Sequence, residues 1–86
     1  MAFDLERAWT LAPQVALRPE PFGALAYHFG TRRLSFLKSR RLLAAVEGLA
    51  GAATARDALA AAGVGEAELP RYARALEALA DTGMIA

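Results

Sequence analysis

The sequence predicts an α+β domain, a three-stranded antiparallel sheet followed by three helices. Three observations predict it. Pro13, Pro19 and Pro21 exclude a helix from residues 9–22. Residues 24–37 alternate in polarity about a glycine-led turn at Gly30-Thr31. From Ser39 onward the apolar spacing changes from a period of two to one near 3.6, interrupted by glycines.

Strand one lies within 9–22, where Val15 and Leu17 alternate with Gln14, Ala16 and Arg18 before Arg18-Pro19-Glu20-Pro21-Phe22-Gly23 breaks it. Strands two and three are expected over 24–29 and 32–37, joined at Gly30-Thr31 by a two-residue type II′ turn. That turn puts Phe29 opposite Arg32, Tyr27 opposite Leu34 and Leu25 opposite Phe36. The last two pairs form the large apolar face expected to meet the helices. Ala26 opposite Ser35 and His28 opposite Arg33 form a polar face turned to solvent.

Ser39 is the expected cap of a first helix carrying Leu42, Leu43, Val46 and Leu49, weakened and ended by Gly48 and Gly51. Thr54-Ala55-Arg56-Asp57 resembles a capping box, with Asp57 where Glu is usual, and opens a short helix ending at Gly63. A third helix begins between Glu66 and Leu69, with Pro70 in its first turn. Leu69, Tyr72, Leu76 and Leu79 share one face of it. Gly83 is placed as its left-handed terminator, and Met84 and Ile85 return to the core.

The chain has 86 residues, enough for one modest core and no separate catalytic domain. Residues 1–8 are expected to be a flexible segment and 9–86 a single domain. The hydrophobic share of 56% argues against disorder. It also leaves apolar surface for a partner. A net charge of +1 points to no particular polyanion. Cysteine is absent, which excludes disulfides, thiolate nucleophiles and cysteine–zinc sites. Neither a signal pattern nor an apolar run of the ~18 residues a membrane span needs is present, so a cytoplasmic protein without membrane contact is expected.

Catalytic constellations are missing. His28 is the sole histidine and reads as a surface residue beside Arg33. Glu66 and Glu68 point apart on a helix. Ser35 and Ser39 have no histidine partner or nucleophile elbow, and the single glycines form no phosphate loop. No enzyme is expected. Arg32, Arg33, Lys38, Arg40 and Arg41 allow three readings: a solvated edge, a basic rim for an acidic peptide, or phosphate contact. Strand three, last in the order one-two-three, is an edge that can receive an extended peptide.

Residues 9–30, reading WTLAPQVALRPEPFGALAYHFG, resemble the mycofactocin chaperone family MftB. So do residues 32–39, RRLSFLKS, and the closing stretch from Leu69-Pro70-Arg71-Tyr72 to Gly83-Met84-Ile85. One departure is Arg40-Arg41, where the family leads one to expect a proline or small residue after Ser39. The wider group resembles the pyrroloquinoline quinone chaperone PqqD, a RiPP recognition element. That resemblance implies a winged helix-turn-helix-like fold and no cofactor. It implies two partners, the precursor peptide MftA and the radical SAM maturase MftC, whose iron–sulfur clusters modify the peptide's C-terminal Val-Tyr. It also implies a peptide lying between strand three and the third helix. Carried onto this chain, the peptide-binding candidates are Arg33, Leu34, Ser35, Phe36 and Leu37 on the strand. On the helix they are Arg71, Tyr72, Ala75, Leu76 and Leu79. Leu34, Phe36, Tyr72 and Leu76 read first as core, though a shallow groove at the core margin allows both roles. Arg71 and Ala75 lie on one flank of the helix and Arg74 and Glu77 on the other, and the spacing leaves open which flank faces the strand.

The rival reading is a winged-helix DNA-binding or regulatory domain, disfavoured because Arg71 and Arg74 are countered by Glu66, Glu68, Glu77 and Asp81. No nucleic-acid partner is expected. A dimerisation module is a third reading.

Overall fold

The computed structural model describes residues 3–86. The elements are β1 (Val15–Glu20), β2 (Gly23–His28), β3 (Arg33–Leu37), α1 (Arg40–Gly48), α2 (Ala55–Ala61) and α3 (Leu69–Asp81). Short 3-10 turns over Leu49–Gly51 and Glu66–Glu68 lead out of α1 and into α3. The antiparallel sheet has the order β1-β2-β3, and the three helices follow it, as the periodicities predict.

β1 runs through Pro19 to Glu20 instead of breaking at Arg18. It is an outer strand, where a proline without an N–H is tolerated. Pro21 and Phe22 make the turn, and β1 then pairs from Glu20 opposite Gly23 to Val15 opposite His28. Gly23 sits at φ +149°, and a Cβ there would lie 2.0 Å from the Leu37 carbonyl oxygen.

The β2–β3 register is the expected one, with Tyr27 opposite Leu34, Ala26 opposite Ser35 and Leu25 opposite Phe36. The turn differs. Phe29 and Arg32 leave the strands to form a four-residue loop with Gly30 and Thr31, closed by the Arg32 N–H donating to the His28 carbonyl at 2.7 Å. The left-handed residue is Arg32 at φ +62°, not Gly30. A Cβ at Gly30 would meet side-chain atoms only, Gln14 Oε1 at 2.3 Å and His28 Cε1 at 2.9 Å, so a larger residue there would displace the Gln14 side chain. The loop is held by His28, whose Nδ1 accepts from the Gly30 and Thr31 N–H groups at 3.0 and 3.1 Å. His28 is therefore a buried, hydrogen-bonded residue and not a surface histidine.

The sheet faces are also the reverse of those expected. Ala24, Ala26, His28 and Leu37 are buried under the helices, while Leu34 and Phe36 are 59% and 60% exposed. Leu25 and Tyr27 lie half-buried on the same outer face. β1 supplies the reason. Arg18 pairs with Leu25, so Arg18 and Glu20 share that face. They form an ion pair of 2.9 Å that burial would strip of water. Val15 and Leu17 stand on the opposite face, beside His28 and Ala26. Small residues at 24 and 26 let the helices approach with their own bulk, and Leu42, Val46, Leu49, Leu59, Leu76 and Leu79 complete the core.

The helix ends follow the sequence signals. The Ser39 hydroxyl accepts the Leu42 N–H at 3.1 Å and Thr54 accepts that of Asp57 at 3.1 Å. α3 closes in a Schellman motif: Gly83, at φ +77°, donates to Ala80 and Met84 donates to Leu79 at 2.8 Å. Leu69, Tyr72, Leu76 and Leu79 are all buried, as their shared face requires.

The flexible segment expected over 1–8 includes residues 1 and 2, which lie outside the described residues. Phe3 stacks on Trp9 at 4.6 Å, and the Leu5 and Arg7 carbonyls accept the Arg56 and Ala55 N–H groups of α2. Glu6 binds Arg56 at 2.8 Å, and that bond and charge raise the guanidinium pKa above its ordinary value. The segment before β1 also meets the C-terminal tail: Thr10 and Ala86 exchange two hydrogen bonds of 2.9 Å, and Met84 accepts from Ala12 at 2.9 Å. Alternation of residue polarity gives no signal for this pairing.

Candidate functional site

The sheet has two outer strands, and they are not equivalent. β1 carries Pro19, which removes one backbone donor. β3 carries no proline and pairs only with β2. Among the described residues the N-terminal segment does not pair with its outer edge: Leu5 and Arg7 bond α2, and Thr10 and Ala12 bond the C-terminal tail. Every second N–H and C=O of such a strand points away from the sheet.

α3 runs beyond that edge, and a groove of about 370 Å³ separates them. Leu34, Ser35 and Phe36 form the strand side, Ala75, Ala78, Leu79 and Thr82 the helix side, and Leu42 and Lys38 complete the lining. Alanine at 75 and 78 keeps the helix wall low. The groove continues past Lys38, Leu42 and Ala75 into a second cavity of about 320 Å³, which Ser39, Arg71 and Tyr72 complete.

The flank of α3 left open by spacing is thereby assigned. Arg71, Ala75, Ala78 and Thr82, four, three and four apart, face β3. Glu77 borders a different cavity, with Phe3, Arg7, Trp9 and Asp81.

Of the residues singled out from sequence, Leu34, Ser35, Phe36, Ala75 and Leu79 line the groove, and Arg71 and Tyr72 line its continuation. Leu37 and Leu76 are fully buried core residues, and Arg33 is exposed at the turn end of β3. Leu34 and Phe36, first read as core, are exposed at the strand edge. Leu42, Ser39, Ala78 and Thr82 were missed as lining residues. Ala78 and Thr82 were recoverable, since they continue the Arg71–Ala75 flank at helical spacing.

Charge concentrates at the Lys38 end. Arg41 and Arg71 both bind Glu68 at 3.0 Å, two cations on one carboxylate. Among the described residues Lys38 has no carboxylate within 4 Å. The Ser39 and Tyr72 hydroxyl oxygens lie 3.1 Å apart. From Phe36 at the groove's rim, aromatic side chains continue over the sheet's open face, with Phe22 6.2 Å from Phe36 and Tyr27 5.1 Å from Phe29. Among the described residues no three His, Asp or Glu side chains converge as metal ligands. No described helix is long and apolar enough to cross a membrane.

A family model described as the peptide chaperone MftB family matches residues 8–86. The chain belongs to that family. It is 56% identical over 84 residues to the peptide chaperone MftB of Mycobacterium ulcerans, covering 98% of this chain and 77% of that one. Identity is 54% over 83 residues to the protein of the same name from Mycobacterium tuberculosis, 96% of this chain and 76% of that one. For Mycolicibacterium smegmatis it is 51% over 85 residues, 99% and 83%. These relatives are named as chaperones, a role without catalysis. No solved structure matches the chain.

Proposed function

We propose that this chaperone binds the mycofactocin precursor peptide MftA by strand addition to β3 and presents it to the radical SAM maturase MftC in the cytoplasm. The observation that carries the reading is the groove between the unpaired β3 edge and the low alanine flank of α3.

Magnitudes say which contacts matter. Ordering an extended peptide costs about 1–2 kcal/mol per residue in backbone freedom. Backbone hydrogen bonds return about 0.5–1.5 kcal/mol each, and a strand exchanges only one bond per residue on average. Pairing to the five residues of β3 thus supplies alignment but little net affinity. Apolar side chains of the peptide, buried against Leu42, Ala75 and Leu79 at about 1.5–3 kcal/mol each, supply the surplus. DNA binding finds less support, because α3 carries Glu77 and Asp81 beside its two arginines.

The test is a calorimetric titration with MftA. Saturable one-to-one binding with a Kd below about 10 μM is expected. Exposed Ala78→Trp, which fills the groove, abolishes it without unfolding the protein. A folded wild type that shows no saturable binding at tens of micromolar peptide overturns the reading.

A further inference from the structure

Resting on the reading above, we infer that the Lys38 end of the groove is a carboxylate-binding subsite, formed by Lys38, Arg71 and the Ser39–Tyr72 hydroxyl pair, which takes an acidic group of the bound peptide. Charge is the first support. Lys38 and Arg71 line one cavity of about 320 Å³ whose remaining lining is Ser39, Leu42, Tyr72 and Ala75, with no acidic side chain. Glu68 lies outside that lining and is shared between Arg41 and Arg71, so it leaves the cluster with excess positive charge.

Hydrogen-bond arithmetic is the second support, and it is independent of charge. Ser39 Oγ already accepts the Leu42 N–H. Ser39 and Tyr72 own one hydroxyl hydrogen each, and the 3.1 Å contact between them uses one. Whichever residue donates, the other keeps a hydrogen for which no further acceptor stands within reach among the described residues. That hydrogen belongs to a residue lining the cavity. Lys38, without a carboxylate partner, favours an anionic occupant beside Arg71, and the spare O–H can donate to it. A carboxylate satisfies them with charge-assisted bonds, about twice as strong as neutral ones.

Position is the third. The subsite shares Lys38, Leu42 and Ala75 with the groove and begins where β3 ends at Leu37. A strand laid along β3 therefore delivers one of its acidic side chains there, leaving the peptide's C-terminus free for the maturase.

Calorimetry on a thermodynamic cycle tests this. Wild type, Lys38→Met and Arg71→Gln are titrated with MftA, with MftA peptides neutralised one acid at a time (Asp→Asn or Glu→Gln), and with MftA amidated at its C-terminus. Both substitutions are at exposed positions. Each variant is expected to bind MftA about tenfold more weakly, about 1.4 kcal/mol. One neutralised peptide should show the same loss on wild type, and Lys38→Met should weaken that peptide by less than a further twofold. A side-chain amide showing this coupling identifies the Asp or Glu that occupies the subsite, whereas coupling to the C-terminal amide instead overturns it. Effects that simply add, or variants within twofold of wild type while Ala78→Trp abolishes binding, overturn the subsite and leave the groove standing. Ala78→Trp binding like wild type overturns the groove itself.

Discussion

The Ser39 and Tyr72 hydroxyl oxygens lie 3.1 Å apart and tie the cap of α1 to the buried face of α3. The same Ser39 oxygen accepts the Leu42 N–H, so one atom sets both the start of one helix and its distance from the other. The groove's width at its Lys38 end depends on that distance.

Tyr72→Phe should cost about 1 kcal/mol in urea unfolding, the worth of one hydrogen bond. Ser39→Ala loses the cap as well and should cost about 1–2 kcal/mol. Because the two share a bond, the double variant should cost less than the sum, and the difference measures their coupling.

Leu34 and Phe36 should behave unlike their neighbour Leu37. Leu34→Ser and Phe36→Ser alter exposed side chains and should leave stability within about 0.5 kcal/mol, while weakening peptide binding. Leu37→Ala empties a fully buried site and should cost about 2–5 kcal/mol. Chemical denaturation beside peptide titration separates the two classes.

Two glycines predict opposite signs. Gly23→Ala drives a methyl into the Leu37 carbonyl at a φ of +149°, and should cost more than about 2 kcal/mol. Gly48→Ala meets nothing within 4 Å at the end of α1 and should raise stability by up to about 1 kcal/mol. Thermal melts of both variants give the comparison.

Ile85→Ala should cost about 2–5 kcal/mol, since Ile85 is buried in the core and pairs with Leu11. Hydrogen exchange should report the Thr10 and Ala86 amides as protected in the wild type and faster in the variant.

Local signals were legible and the choice of sheet face was not. Ser39, Thr54, Gly63 and Gly83 mark helix ends by chemistry that acts within a few residues. The β2–β3 register followed from counting outward from the Gly30-Thr31 turn, and it holds in the four-residue loop because His28 still faces Arg33. Which face turns inward depends on β1, three residues of which decide it. Arg18 and Glu20 beside Leu25 forbid burial, and Val15 beside His28 invites it. Reading the Pro21-Phe22 turn as a hairpin would have set that register from sequence. The four-residue loop was not legible, because a His28 side chain accepting two backbone N–H groups has no pattern at the level of apolar spacing. At the site, the helix flank needed the fold: heptad-like spacing defines the Arg71–Ala75 stripe, but only the placement of β3 says what lies opposite.

The aromatic row on the outer sheet face gains a meaning once a strand is added beside it. Side chains alternate across a strand, so a peptide added to β3 as proposed would send half of its residues into the groove and stand the other half next to Leu34 and Phe36 in the row shared with Phe22. The result is a two-chain surface that neither molecule has alone. A third protein that reads it tells a loaded chaperone from an empty one by touch, without ever reaching into the groove.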